Sequence, residues 1–244
     1  MRLHVLLATV ASVLFGLGTA STALAATPTP APGVEITQPL GQVLSHVTDA
    51  RVPTPNSLAI SAKYRGLAYV MNQEGAPIVF VIQLSTGKVV GTTILSRTTT
   101  DKPLAMAVDD GRLWIADLGD TRGNRFGGTI YSIVEPGRGA HQATPRSYNV
   151  TFGGLSSDIH GLLIEPKSDQ KYLVSRNSLG EGTFWKLPRT LQSTYSNRAV
   201  PESKTVTAGA TDATFTPNGR KVLVLADEQI RLFDAKTWEE EVVV

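Results

Sequence analysis

The sequence predicts an all-β fold, a β-propeller of about four blades, each blade being a small four-stranded antiparallel sheet. From Asn56 onward, short apolar runs alternate with turn residues, and no segment carries sustained helical periodicity. A unit made of an apolar strand, a turn, a stronger apolar strand, a loop and a third strand occurs four times. The turns of successive units align at Gly66, Gly111, Gln170 and Gly219. Their separation, roughly 45 to 60 residues, is close to the period of a propeller blade.

The first 25 residues have the features of a secretory signal peptide. Arg2 precedes an apolar run from Val5 to Leu17, and the small-residue stretch "STALA" predicts cleavage after Ala25. The apolar run is shorter than the roughly 20 residues that a membrane-spanning helix needs, and an uncleaved N-terminal anchor is the alternative. We therefore expect a secreted, extracellular protein with no membrane insertion once residues 1–25 are removed.

The composition of the remaining chain limits the classes of partner. Residues 26–33, "ATPTPAPG", are expected to form an extended Pro/Thr/Ala-rich spacer or a disordered tail, followed by the propeller domain over residues 34–244. Without any cysteine, an exported chain must be stabilised by its core and not by disulfides. Loss of Arg2 takes the formal net charge from +2 to +1, a balance that offers no basic surface, so nucleic acid is not an expected partner.

Within each unit, the turn residues and the side-chain pattern define the strands. The "DDG" and "PNG" turns, Asp109–Gly111 and Pro217–Gly219, supply residues that tolerate positive φ in tight hairpins. The strands that follow the four turns, "LAYV", "RLWI", "KYLV" and "KVLV", are rich in β-branched and aromatic residues. Trp114, Trp185 and Trp238 are expected to pack between blades. The predicted core comprises Leu67, Tyr69, Leu113, Ile115, Tyr172, Val174, Val222 and Val224.

Ring closure is an open question at the sequence level. Four blades make a very small propeller, and "EEEVVV" at Glu239–Val244 lies within an apolar strand. An unpaired apolar strand at an edge promotes aggregation. Either the segment Val34–Val47 pairs with this strand, or residues are missing. We expect the second arrangement, an incomplete, open propeller in a truncated chain.

Three stretches resemble secreted bacterial β-propeller proteins of the WD-type repeat class. "ADLGDTRGNRFGGTIYSIVEP" is similar to the pattern A-D-x-G-D-N-x-x-x-R…Y-R-x-x-E-P of that family. "SDIHGLLIEPKSDQKYLVSR" and "ATDATFTPNGRKVLV" resemble its next two repeats, so the likeness covers about Leu104 to Phe233. Thr121 and His160 depart from the family pattern, which has Asn and an acidic residue at these positions. The resemblance implies the fold and, because members of the family usually continue through a further blade, a truncated member.

The loop that follows "RLWI" concentrates charged residues. Asp117, Asp120 and Asn124 are oxygen ligands of the kind that Ca²⁺ prefers, but their spacing is not that of a single-loop calcium site. Arg122 and Arg125 would repel a cation and can pair with the aspartates themselves. We therefore favour a loop that satisfies its own charges. The alternative is a ligand site, whose candidate residues are Asp117, Asp120, Arg125 and His160.

A second set of candidates lies at the starts of the predicted first strands, which should line the propeller axis. Asn56, Asp158 and Asp212 occupy roughly comparable places in three units. Oxygen ligands that converge from several blades would suit a divalent ion such as Ca²⁺, and strand capping or water binding is the favoured alternative. His160, two residues after Asp158, would be the general base of a metal-dependent reaction.

Two classes of function follow. The chain lacks G-x-S-x-G, H-E-x-x-H, a phosphate-binding glycine loop and a cysteine nucleophile. We therefore expect a non-catalytic binding module for a protein, glycan or small-molecule ligand, without a cofactor. By analogy with neighbouring propellers, a calcium-dependent hydrolase of the lactonase or phytase-like esterase type is the alternative, and whether any catalysis occurs stays open. A shortened relative without function is the third hypothesis.

Overall fold

The computed structural model describes residues 4–7, 42–176, 182–205, 209–226 and 229–243. All regular secondary structure in these ranges is β-strand. The predicted spacer, and the predicted signal peptide apart from residues 4–7, lie outside the described residues. Among the residues that are described, no helix is long and apolar enough to cross a membrane.

A short antiparallel pair precedes the blades. It joins β1 (His4–Leu7) to β2 (Gln42–His46). Within the described chain, β2 pairs with β1 and not with the last strand, so this part of the segment considered for ring closure does not close the ring. The Ser45 hydroxyl donates a hydrogen bond to the carbonyl of Leu84, 2.7 Å away, and thereby fixes β2 against the first blade.

Four sheets follow, one for each predicted unit, and we call them blades 1 to 4. The strands of blade 1 are β3 (Pro55–Ile60), β4 (Leu67–Asn72), β5 (Ile78–Gln83) and β6 (Val89–Leu95). Blade 2 begins with β7 (Pro103–Asp109), β8 (Arg112–Asp117) and β9 (Gly127–Val134). The chain then forms β10 (Gly139–Ala143) and β11 (Arg146–Thr151), the fourth strand of blade 2.

Blades 3 and 4 repeat this order. The first three strands of blade 3 are β12 (Asp158–Ile164), β13 (Lys171–Arg176) and β14 (Gly182–Lys186). They are followed by β15 (Asn197–Arg198) and by β16 (Val200–Thr205), the outer strand. The strands of blade 4 are β17 (Ala210–Phe215), β18 (Lys221–Ala226), β19 (Gln229–Asp234) and β20 (Glu240–Val243).

Blades 1 and 2 differ from the expected four-stranded antiparallel sheets because each has a fifth strand from the unit that follows. β10 pairs in parallel with β6, and β15 pairs in parallel with β11. The chain therefore crosses to the outer edge of the preceding blade before it completes its own sheet. These crossings cover two sheet edges that would otherwise be unpaired.

The blades pack face to face, in the manner of a β-propeller. The first strands β3, β7, β12 and β17 contact one another in that order and form the inner side of the array. One apolar cluster lies between each successive pair of blades, and all eight predicted core residues belong to these clusters. Trp185 and Trp238 are buried in the clusters, and Trp114 packs against one of them, as predicted. The all-β propeller with four blades is confirmed.

The four blades form an arc with two ends. In the described residues, no contact of comparable extent joins β17 to β3, and no apolar cluster spans blades 4 and 1. The outer face of blade 1 is partly covered by Val52, which packs against Val70 and Phe80. The outer face of blade 4 leaves Leu225 and Val242 exposed by 37% and 45%.

Local geometry explains how the strands are joined. In the turn between β7 and β8, Asp110 and Gly111 have φ values of 45° and 66°, the combination that a tight type I′ hairpin requires. Near the start of every first strand, one extra residue interrupts the pairing with the second strand as a β-bulge. The extra residues are Asn56, Leu104, His160 and Thr211. Bulges change the direction of side chains, and here all four lie at the same end of the blades.

Candidate functional site

A polar cleft lies at the end of the blades where the bulges occur, and we call it the cleft. It consists of two adjoining cavities of about 310 and 610 Å³, which share Asp120, Thr121 and Arg122. The loop between β8 and β9 separates them. The smaller cavity faces the segment that enters β7, and the larger faces the segment that enters β12 and the end of β13. A cavity of this size is suitable for a small molecule or for part of a larger ligand.

Asp117 and Arg125 hold the base of the loop. The carboxylate of Asp117 is 4% exposed and accepts the backbone N–H groups of Asp101 at 3.1 Å and Lys102 at 2.6 Å. The guanidinium of Arg125 donates to the carbonyls of Gly119 and Asp117 and lies 3.7 Å from the Asp117 carboxylate. Both side chains therefore organise the loop.

Asp120 holds the middle of the same loop. Its carboxylate accepts the backbone N–H groups of Asn124 at 3.0 Å and Arg125 at 2.7 Å, and the hydroxyl of Ser156 at 2.7 Å. Burial alone would raise the pKa of Asp120, but these three hydrogen bonds outweigh burial and lower the pKa. Within the loop, Asp117, Asp120 and Arg125 are thus paired internally, as we expected, whereas Arg122 is exposed and forms no ion pair in the described residues.

Asp158 joins the loop of blade 2 to the inner strand of blade 3. One carboxylate oxygen accepts the backbone N–H of Asp120, and the other lies 3.0 Å from Nε2 of His160. Burial raises the pKa of Asp158, but the hydrogen bond and charge of His160 and the N–H of Asp120 together lower it. His160 is 6% exposed and does not line either cavity, so its ring supports Asp158 from behind.

The larger cavity is lined by polar groups: two carboxylates, two guanidinium groups and several hydroxyl groups. Arg122 and Arg176 are exposed, and the hydroxyls of Thr121, Ser157 and Thr183 lie beside them. Within the described ranges, neither guanidinium forms an ion pair with a carboxylate. Of the candidate residues predicted from the sequence, Asp120 and Asp158 line this cavity, whereas Asp117 and His160 lie behind it.

The three metal-ligand candidates occupy different register positions. Asn56 is the bulged residue of its strand, Asp158 lies two residues before the bulge at His160, and Asp212 follows the bulge at Thr211. Burial raises the pKa of Asp212 to about 7, opposed by the backbone N–H of Ala213. Among the residues that the structure describes, no three His, Asp or Glu side chains form a group that could hold a metal ion. The metal site stays a prediction.

Sequence reasoning missed Arg176, Ser157 and Thr183 as cleft residues. Arg176 ends the apolar run "KYLVSR", and a charge at the end of a buried strand was the one available signal. Ser157 and Thr183 carry no recognisable motif. They reach the cleft because β12 and β14 begin beside it and β13 ends there. The order of residues in the sequence does not show this.

The comparisons with known proteins bear on the fold. No protein-family model matches the chain, and no curated protein is significantly similar to it in sequence. Among solved structures, a chain of the nidogen/laminin complex is 15% identical, with a TM-score of 0.51, over 81% of this chain and 66% of that chain.

Two further structures match less well. The Dos1 propeller is 14% identical over 84% of this chain and 51% of that chain, with a TM-score of 0.45. A putative 6-phosphogluconolactonase from Bacteroides uniformis is 14% identical over 82% and 59%, with a TM-score of 0.44. The chain thus spans about half to two thirds of the length of these solved structures. Likeness at this level of identity shows the fold alone.

Proposed function

We propose that this protein is a secreted, non-catalytic β-propeller that binds its ligand in the cleft between the loop of blade 2 and the inner strand of blade 3. The observation that carries the proposal is that fixed carboxylates and accessible polar side chains occur together in the cleft. Asp117, Asp120 and Asp158 are fixed by backbone N–H groups and form a rigid frame. The exposed side chains of Thr121, Arg122 and Arg176 line the larger cavity beside Asp120 and Asp158. A rigid frame with accessible polar groups suits recognition.

Precedent for the role comes from one structural neighbour. A chain from a complex of two proteins, nidogen and laminin, has a similar fold. We extend that precedent to this chain as part of the proposal and expect a protein or glycan ligand. The predicted signal peptide supports an extracellular setting for such an encounter.

The test is to fill the cleft. Thr121 is exposed and lines both cavities, so Thr121→Trp should obstruct the cleft without removing any hydrogen bond of the frame. Thr86 is also exposed but lies in the turn between β5 and β6, at the opposite end of the blades, and Thr86→Trp is the matched control. We expect wild type and Thr86→Trp to bind the same members of a glycan and extracellular-protein array, and Thr121→Trp to lose them. Equal binding by all three proteins would overturn the proposal.

The alternative, a divalent-metal hydrolase, is favoured by the Asp158–His160 pair. An ionised carboxylate beside an imidazole at the edge of a cavity is an arrangement that can hold a metal or move a proton. If this alternative holds, Ca²⁺ added after chelation should raise the Tm by several degrees, because an ion that binds only the folded state stabilises it. The binding-module proposal expects no change in the Tm.

A further inference from the structure

The carboxylates of the cleft accept hydrogen bonds mainly from groups within the protein. Asp120 accepts three hydrogen bonds, and both oxygens of Asp158 are occupied by the N–H of Asp120 and the ring of His160. A carboxylate that already accepts several hydrogen bonds is a poor acceptor for a ligand. Asp120 and Asp158 line the larger cavity and keep their negative charges, but their oxygens are directed largely to donors within the protein.

The guanidinium groups of Arg122 and Arg176, in contrast, have most of their hydrogen-bond donors free of protein partners. In the described part of the chain, Arg176 has no hydrogen-bond or ion-pair partner, although its Cα is directly opposite that of Asp158 in the register of β12 and β13. The charge of Arg122 contributes to lowering the pKa of Glu74, but the larger cause is the hydrogen bond that Lys102 donates to that exposed carboxylate. Each guanidinium thus has most of its five N–H donors available.

The two arginines line one cavity together with hydroxyl groups and with the hydrogen-bonded carboxylates of Asp120 and Asp158. The cavity of about 610 Å³ is bounded by Arg122 on the loop of blade 2 and by Arg176 at the end of β13 in blade 3. Thr121, Ser157 and Thr183 add hydroxyl donors around it. A guanidinium fork matches the two oxygens of a carboxylate, sulfate or phosphate and forms shorter, stronger hydrogen bonds than a neutral donor.

We propose that the larger cavity of the cleft binds an oxyanion, a carboxylate, sulfate or phosphate group of the ligand, between Arg122 and Arg176. The proposal rests on the proposed function, since it assigns the ligand class of the same cleft. An acidic sugar or an acidic side chain presents this chemistry, and a neutral sugar does not. Because the two arginines belong to different blades, the anion would also connect blade 2 to blade 3.

The experiment compares ligands that differ in one charged group. Binding of galacturonate, galactose, inorganic sulfate and inorganic phosphate is measured by calorimetry and by the fluorescence of Trp185, which lines the cavity. We expect galacturonate to bind and galactose not to bind, with affinity falling as salt is added. The sulfate and phosphate titrations distinguish a tetrahedral anion from a carboxylate as the preferred group.

Charge-removing variants test the two residues. Arg122→Gln and Arg176→Gln should each weaken binding of the preferred anion by about tenfold or more, because each removes a charge-assisted pair of hydrogen bonds. Arg65→Gln is the matched control, since Arg65 is exposed in the turn between β3 and β4 at the opposite end of the blades. It should bind as wild type does.

The outcomes separate this inference from the proposed function. If no anion binds wild type, or if both arginine variants bind as well as Arg65→Gln, the oxyanion site is wrong. Array ligands that are lost in Thr121→Trp but kept in both arginine variants would leave the proposed function standing and overturn the oxyanion site. Array binding that Thr121→Trp does not affect would overturn both.

Discussion

The ring of His160 lies 3.0 Å from the carboxylate of Asp158, and His160 is the extra residue of the bulge that interrupts β12. The second oxygen of the same carboxylate holds the loop of blade 2 through the N–H of Asp120. One side chain therefore links two blades at the cleft.

Replacing Asp158 should reveal the strength of this link. We expect Asp158→Ala to lower the free energy of unfolding by about 2–3 kcal/mol, because the N–H of Asp120 and the ring of His160 lose their partner. Asp158→Asn keeps one acceptor oxygen and should cost about half as much. Urea unfolding measures both values. The control is Glu202→Ala, which breaks an exposed pair with Lys186 and should change stability by about 0.5 kcal/mol or less. Equal costs for Asp158→Ala and the control would contradict the link.

The cleft aspartates should make stability depend on acid pH. The pKa values of Asp120 and Asp158 are lowered in the folded protein, so their contribution is complete above the ordinary aspartate pKa near 4. It is lost as the pH falls through their lower folded values. We expect the Tm to decrease below pH 4 and to decrease less steeply in Asp120→Asn. A variant that follows the wild-type curve in acid would show that Asp120 has no such role.

Asp212 should give stability the opposite dependence on pH. Because burial raises its pKa to about 7, the charged form opposes folding, and this destabilisation grows as the pH rises from near 4 to about 7. Asp212→Asn should therefore raise stability at pH 8 and leave it unchanged at pH 4. Since solvent reaches part of the side chain, the expected gain at pH 8 is about 1–2 kcal/mol. Urea unfolding at the two pH values is the measurement, and an equal gain at both would refute the assignment.

At the end opposite the cleft, a buried hydrogen-bond network joins blades 1 and 2. Glu135 is 2% exposed and accepts hydrogen bonds from the hydroxyls of Ser61 and, at 3.1 Å, Tyr69, which also lies 3.0 Å from the carbonyl of Pro136. Tyr69→Phe should cost about 1–2 kcal/mol of stability, because it removes a donor from a buried carboxylate. Tyr195→Phe, at a side chain that is 74% exposed, is the control and should cost a few tenths of a kcal/mol. Similar denaturation midpoints for the two variants would argue against the network.

Much of the fold could be predicted because the periodicity of apolar side chains indicates the strands and the turns between them. The turns at Gly66, Gly111, Gln170 and Gly219 all connect the first and second strands of a blade, as expected. The crossing strands were not predicted, because Gly139–Ala143 has no large apolar residue, is largely exposed and shows no alternation to mark it. The bulges were missed for a similar reason, since an extra residue in a strand is a property of the pairing register and not of one side chain.

The candidate site could be predicted only in part. The charged residues of the loop indicated its position and the turn-capping role of an aspartate, and Asp120 does accept the backbone N–H of Arg125, because a contact between residues close in sequence follows from local spacing. The two guanidinium groups of the oxyanion proposal lie about 50 residues apart on different blades. Only the stacking of blades brings them to one cavity, and no local pattern encodes that.

The arc has a consequence for the order in which the blades unfold. In a closed ring every blade has two neighbours, whereas blades 1 and 4 here each have one described blade beside them. For such a linear array, stability is a sum of unit and interface contributions, so the terminal units fray first. Amide hydrogens of β18 in blade 4 should exchange with deuterium sooner than those of β8 in blade 2, although both strands lie inside their sheets. The cleft, built on blades 2 and 3, would then stay intact while the periphery opens and recloses.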